Sequence, residues 1–476
     1  MNKKLYELID VSSIGSEEIL SMYSENINPT LMGIFKILGL RDLDVDYAEG
    51  MYLHLKSGRK ILDTTSGLGV LALGHNHPVV IEAEKYCHKN KVVDMQKLGP
   101  NRLQAVLASN LAKLLPGDLN VVTLSVSGAE ANEAAIKLVT KAQSDDKKYL
   151  IRFEGAYHGK THGALSLTDS EGFGDGFLVG VPRENIITTP FGDIDAIRNI
   201  ISKHTNPNGD NDIIAIFLET MGGQDLQVLP SGFLSSIIDI CKKNQIITVF
   251  DEIKVGMGRA GAGNLFCFQK ENVVPDVLTI SKALGGGKRA IGAMVTTNNI
   301  FKRAYGSRDN CALHSSTFSG IGESCAVAIE TLNFISDQNF LDEVHVDSEY
   351  FKSQLTSLRD KYPNYIRSIK GSGYFLGIEF DFGWLSKIAN FSDNKKISKI
   401  TNGIGIASIV SILYKDYNVL THFSGSSPNI LFLMPPLIIN RDEIDIIISS
   451  LESMMKKNFS LSLLNFATST LKELAK

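Results

Sequence analysis

The five cysteines of this 476-residue chain (Cys87, Cys241, Cys267, Cys311 and Cys325) are odd in number and nowhere fall in CxxC spacing. That excludes a disulfide framework or a zinc site of paired cysteines, and predicts a reducing, cytoplasmic compartment. No apolar run approaches the ~18–20 residues of a membrane-spanning helix. The opening MNKKLYELIDVSS has no secretory apolar core. Neither sign of charge dominates, since 48 Lys and Arg against 52 Asp and Glu leave a net charge of −4. No general pull toward nucleic acid or anionic membrane is expected from that balance. Basic pairs such as Lys147-Lys148 are expected on solvated faces. Internal repeats and low-complexity linkers are missing too.

What remains is the composition of a globular chain, 43% hydrophobic and 21% charged. The length exceeds one ordinary core, so two domains, or a large one with an appendage, are expected. Apolar β-branched runs alternate with amphipathic helical stretches, which predicts an α/β fold with a mainly parallel sheet. The most informative stretch is 246–292, IITVFDEIKVGMGRAGAGNLFCFQKENVVPDVLTISKALGGGKRAIG. Its first strand ends in Asp251 and Glu252, and a second, VLTI, delivers Lys282 before three glycines. Open α/β sheets place their chemistry at the C-terminal ends of parallel strands. An acid at one such end and a lysine at another suit pyridoxal phosphate, which needs an imine-forming lysine and a carboxylate for its ring nitrogen. GGGK is not a nucleotide phosphate loop, because Lys282 stands where the first glycine belongs and Arg289 follows Lys288.

DEIKVGMGRAG, Pro275-Asp276 and SKALGGG, in that order, resemble the signature of class III, or ω-type, aminotransferases of fold type I. The resemblance covers roughly residues 50–455 and implies a large mainly parallel-sheet domain and a smaller α+β domain. The expected division is 1–59 as an N-terminal part of the small domain, 60–332 as the large cofactor-binding domain and 333–476 as the C-terminal small domain. Lys282 and Asp251 become the catalytic pair by this resemblance.

Further blocks fill in the site. LSVSGAEANEAAIKLV reads as a strand running into a helix, whose first N–H groups bind phosphate, and the resemblance assigns Gly128 and Ala129 to that task. In YLIRFEGAYHGK, Tyr157 matches the aromatic that stacks on the cofactor ring, with His158 beside it. Glu219 ends the strand DIIAIFLET and either contacts the cofactor or gates a substrate-binding cation. Thr317, in LHSSTFSG, matches a threonine that reaches the neighbouring subunit's cofactor phosphate, so a homodimer with shared active sites is implied. Metal binding by His75 and His77 in GHNHP lacks further ligands nearby, and no metal is expected.

Two positions depart from the family's pattern. Lys254 stands where many members carry glutamine. Either its ammonium meets the cofactor's phenolic oxygen, or it turns away into a salt bridge such as one with Glu219. Phe432, in ILFLMPPL, replaces an arginine that binds the substrate's α-carboxylate bidentately. Either another cation such as Lys254 or Lys288 takes over, or one substrate has no carboxylate there. The N-terminal NINPTLMGIFKILGL resembles that of putrescine-type members. Together these predict transamination of an amine, diamine or ω-amino group with an oxo acid or aldehyde. Racemases, aminomutases, decarboxylases and phospho-lyases share the scaffold and are the alternative, and a cofactor-free binding dimer is the reading from outside enzymology.

Overall fold

The computed structural model describes residues 5–169, 172–383, 395–457, 459, 463 and 466, with side chains omitted for 395–401. The tail NFSLSLLNFATSTLKELAK, whose sequence reads as an amphipathic helix, falls almost wholly outside them.

A seven-stranded sheet forms the centre. Its order in space is Leu119–Ser125, Gly292–Thr297, Val277–Ile280, Ile247–Asp251, Ile213–Glu219, Tyr149–Phe153 and Ile186–Thr189. The last five are mutually parallel, and Gly292–Thr297 runs antiparallel to both its neighbours. The apolar runs read from the sequence are these strands, and both faces are covered, as a parallel sheet requires.

Side-chain alternation sorts the strands onto two faces. Phe217, Val249 and Val277 lie in register and pack with Ala134, Ala135 and Leu138 of the helix Gly128–Ala142. Leu218, Phe250 and Leu278 point the other way, into the larger core cluster. One step further along, Glu219, Asp251 and Thr279 are again in register. They therefore return to the face of the Gly128–Ala142 helix, where the core opens.

Two four-stranded sheets flank this centre. One joins Val45–Glu49, Tyr52–Leu55 and Lys60–Asp63 to Val419–Leu420, so early and late segments of the chain share a sheet. The hairpin that turns at Lys56-Ser57-Gly58, a turn signal between two strand-like runs in the sequence, is its middle. The other consists of Ile366–Ser372, Phe375–Phe380, Ile430–Leu433 and His422–Phe423, with the helix Gln338–Lys361 against its edge. This is the α/β architecture expected, a large mainly parallel sheet with smaller α+β parts.

One surface expectation is corrected. Lys147 is half-buried, not solvated, and its ammonium donates to Asn211 Oδ1, Ile213 O and Gln245 O at 3.0, 2.9 and 3.2 Å. Three acceptors at the start of a buried strand hold it, while its neighbour Lys148 is exposed.

Candidate active site

Where the central strands end, a cavity of about 760 Å³ opens. Gly128, Ala129, Tyr157, His158, Glu219, Asp251, Lys254, Lys282 and Phe432 all line it. Thr317 does not. It lies exposed on the turn Thr317–Gly320.

Asp251 is buried and fully engaged. Its Oδ2 accepts from Asn132 Nδ2 at 2.8 Å and sits 2.8 Å from His158 Nδ1, and its Oδ1 accepts from Ile253 N at 3.0 Å. Burial alone would push the His158 imidazole down, but the hydrogen bond and charge of Asp251 outweigh it and hold that group above its ordinary value. His158 Nε2 is buried with no hydrogen-bond partner among the described residues. Glu219, one strand over, accepts from Tyr157 N at 3.0 Å. Burial carries its carboxyl up to about 7, the charge of His158 opposes that rise, and the nearby Asp251 adds to it.

Glu252, next in sequence, points to the opposite side and has a different task. Its oxygens accept from Cys267 N and Phe268 N at 2.8 Å and from Thr220 Oγ1 at 2.9 Å. It fixes the turn Cys267–Glu271 and never reaches the cavity.

Lys282 follows the strand Val277–Ile280 with φ 44°, a left-handed conformation that a lysine seldom adopts. The glycines that follow are tightly packed, since a Cβ on Gly286 would stand 2.6 Å from Thr331 Oγ1 and one on Gly287 would collide with Leu71 Cδ2. Burial lowers the Lys282 amine below the ordinary lysine range, although Asp251 and Glu219 pull it back.

The helix Gly128–Ala142 begins at the cavity wall. Ser127 Oγ caps Glu130 N at 3.2 Å and Ala131 N closes on Ser127 O. The N–H groups of Gly128 and Ala129 have no intrahelical acceptor, which is the arrangement that takes an anion. A side chain on Gly128 would come within 2.8 Å of Ile253.

Lys254 does not form the ion pair with Glu219, since no carboxylate lies within salt-bridge distance of it among the described residues. Its Nζ donates to Gly223 O at 2.7 Å and lies 4.7 Å from the Phe375 ring centroid and 5.2 Å from that of Phe432. The short loop after Glu219 presents the carbonyl, and the two rings present their faces. Burial, reinforced by the Lys282 charge, brings this amine down to about 7.

Three site residues escaped sequence reading. Asn132 donates to His158 O at 2.7 Å as well as to Asp251, and accepts from Thr279 Oγ1 at 2.9 Å. It lies one helical turn past Gly128, on the same face, and that spacing could have found it. His422 lines the cavity from a two-residue strand without any motif around it. Arg259 was quoted only as part of GMGRAG. It is fully buried and donates to Pro435 O at 2.8 Å, Tyr374 O at 3.3 Å and Ser66 Oγ at 3.3 Å. It thereby ties the early and late segments to the central domain.

The two histidines of GHNHP have structural partners. His75 Nε2 meets Asp63 Oδ2 at 3.0 Å, and His77 Nδ1 caps Val79 N at 3.3 Å. No group of three possible metal ligands occurs among the described residues.

The aminotransferase class-III family model matches residues 39–455. The chain belongs to the class-III aminotransferases. It is 31% identical over 471 residues to aminotransferase PigE of Serratia sp., an alignment that covers 91% of this chain and 53% of that protein. The chain thus spans about half the length of that relative. Among solved structures it is similar to ornithine aminotransferase of Toxoplasma gondii, with 20% identity, a TM-score of 0.78 and coverage of 95% and 100% of the two chains. An (S)-enantioselective ω-transaminase of Thermomicrobium roseum aligns at 22% identity and a TM-score of 0.79, covering 93% and 99%. At such identities these two establish the fold, which is that of the class-III aminotransferases.

Proposed function

We propose that this class-III aminotransferase transfers the amino group of a primary amine, a diamine or the ω-amino group of an amino acid to an oxo acid or aldehyde, with pyridoxal phosphate as cofactor. The observation that carries the reading is the convergence of Lys282 and Asp251, from neighbouring strands, on one cavity whose far wall is Phe432. The cavity fits the cofactor. The donor set pairs an amine with a buried carboxylate, and the N–H groups that open the Gly128–Ala142 helix suit a phosphate.

Bound there, pyridoxal phosphate supplies a ring that withdraws electrons from the substrate carbon bearing nitrogen. Lys282 would carry it, Gly128 and Ala129 would take its phosphate, and Tyr157 would cover its ring. Asp251, oriented by Asn132, His158 and the Ile253 N–H, would hold a proton on the ring nitrogen by its negative charge. Lys282 Nζ, whose hold on its proton burial weakens, would take the proton from the substrate carbon and return one. Phe432 offers no hydrogen bond, so the substrate end that reaches it is apolar or uncharged in the amine partner.

Thr317 belongs, in this reading, to the phosphate site of a second copy of the chain, which its exposure supports. A homodimer follows from it. A cytoplasmic location is supported by five cysteines that are all unpaired. Among the described residues no helix is long and apolar enough to cross a membrane.

The test is to follow the visible cofactor band of purified protein while titrating amines and amino acids. Simple amines and diamines should convert it at higher kcat/KM than α-amino acids do. If glutamate or alanine outpaces every amine, the substrate inference falls. If no band forms even after pyridoxal phosphate is added, the enzyme reading falls with it.

A further inference from the structure

The polar groups around Phe432 include two that the mechanism above leaves unused, Lys254 and His422. We propose that Lys254 is the cation that receives the carboxylate of the oxo-acid partner, with the imidazole of His422 as a neutral second donor beside it. This rests on the transamination reading and adds to it the residue that selects the acceptor.

The geometry supplies the argument. Lys254 Nζ is wedged against the rings of Phe375 and Phe432 and spends one of its three N–H donors on Gly223 O. It faces the cavity and reaches the very ring that stands where other members of the family carry arginine. His422 pairs in register with Phe432 on the adjacent strand, with ring centroids 5.2 Å apart. Its Nδ1 is screened from water and has no hydrogen-bond partner among the described residues. An ammonium and an imidazole, each with unused hydrogen-bonding capacity at the same aromatic wall, form a receptor for one planar anion. A substrate ammonium at this point would be repelled.

The same residue explains how one pocket serves an uncharged end and an anionic end in turn. Lys254 is faced by Lys282, Glu219, Arg259 and His422. Burial, the largest cause, and the charges of Lys282 and Arg259 together bring its amine down to about 7 against the opposing charge of Glu219. Loss of the Lys282 charge when that residue carries the cofactor relaxes this only in part, because burial remains the largest cause. An unliganded Lys254 therefore gives up its proton more readily than an ordinary lysine, and in that state it presents an uncharged wall to an amine. An arriving carboxylate raises its proton affinity, and Nζ takes a proton from solvent. No side chain has to swing.

Glutarate, which has neither a reactive carbonyl nor an amine, is the probe. Its binding to the holoenzyme is measured by the shift it causes in the visible band and by calorimetry in two buffers of different ionisation enthalpy. Because burial lowers Lys254 well below an ordinary lysine, proton uptake on glutarate binding is expected, larger at pH 8 than at pH 6.5. Lys254→Met should weaken glutarate at least tenfold at pH 6.5 and abolish the uptake. Lys254→Arg, charged at every pH used, should keep the affinity and also abolish the uptake. Glutarate bound as tightly by Lys254→Met as by wild type, or uptake that persists in that variant, would overturn the proposal. The binding needs no turnover, so its failure is separate from a failure of amines to convert the cofactor band of the wild-type enzyme.

Discussion

Asn132 is the joint through which the helix behind the site holds the Asp251 carboxylate, and it offers the sharpest test of the geometry. Its amide makes three hydrogen bonds in a fully buried position, to Asp251, His158 O and Thr279. Asn132→Ala removes all three. The Thr279 hydroxyl and the His158 carbonyl are then stranded in a dry interior at about 1–3 kcal/mol each, and Asp251 loses one of its three hydrogen-bonding partners. A loss of about 3–5 kcal/mol in unfolding free energy is expected, read by urea denaturation. Thr279→Val removes only the farthest bond and should cost about 1 kcal/mol.

The two variants separate stability from function. If Asn132 positions Asp251, Asn132→Ala weakens cofactor binding at least tenfold, about 1.4 kcal/mol, while Thr279→Val leaves it near wild type. Asn132→Asp sharpens the point. Two ionised carboxylates with oxygens 2.8 Å apart would repel by about 6 kcal/mol at an effective dielectric constant of about 20. The new carboxyl therefore keeps its proton and donates to Asp251, and the variant should work at low pH and fail as pH rises. Wild-type stability and cofactor affinity in Asn132→Ala would refute the reasoning and leave His158 and the Ile253 N–H as the sole orienting groups.

Lys282→Ala should abolish turnover altogether in the amine assay, and multiple turnovers would show that another amine carries the chemistry. Glu219→Gln reports on burial. The folded carboxyl sits near about 7 against an ordinary value of 4.5, so between those pH values the folded state keeps a proton that the unfolded state has released, and stability falls as pH rises. A difference of that size is worth about 3 kcal/mol. Glu252, raised to about 7 for the same reason, adds to this fall and His422, lowered to about 3, opposes it, so the variant should lose the contribution of one carboxyl from the slope in denaturation midpoints between pH 5 and 7, and an unchanged slope would refute the assignment. Mixing Lys282→Ala with Thr317→Ala subunits tests the shared site, because the mixed dimer restores one complete site. Activity that never exceeds the sum of the two pure variants would argue against an exchange of Thr317 between subunits.

The central strands were legible because their apolar runs have to be continuous to bury both faces of a parallel sheet, and the acids that end them stand out. The glycine blocks stood out for a related reason, since Gly128, Gly286 and Gly287 each sit where a Cβ would strike a neighbour. Direction was not legible. Nothing in DEIK says whether the Lys254 ammonium turns toward the ring of a cofactor, toward Glu219 or toward Phe432. A carbonyl 31 residues earlier and two rings from the last third of the chain decide that. His422 was hidden for a similar reason, because it enters the pocket from a two-residue strand whose only signal is tertiary pairing. Lys147 was misjudged because three long-range acceptors outweigh local hydrophilicity.

The adjacent acids Asp251 and Glu252 show how one chemical type acquires two roles by alternation alone. Asp251 falls on the face where the helix end and Lys282 meet, and a buried histidine compensates its charge. Glu252 falls on the other face, where two backbone N–H groups and a hydroxyl compensate it only in part, so its carboxyl rises to about 7. Inserting one residue between them would move Glu252 to the face of Asp251 and put two acids beside one buried imidazole. The proposed chemistry needs a single fixed negative charge at that strand end, opposite an amine whose hold on its proton burial weakens, and the two-residue period of the strand is what provides it.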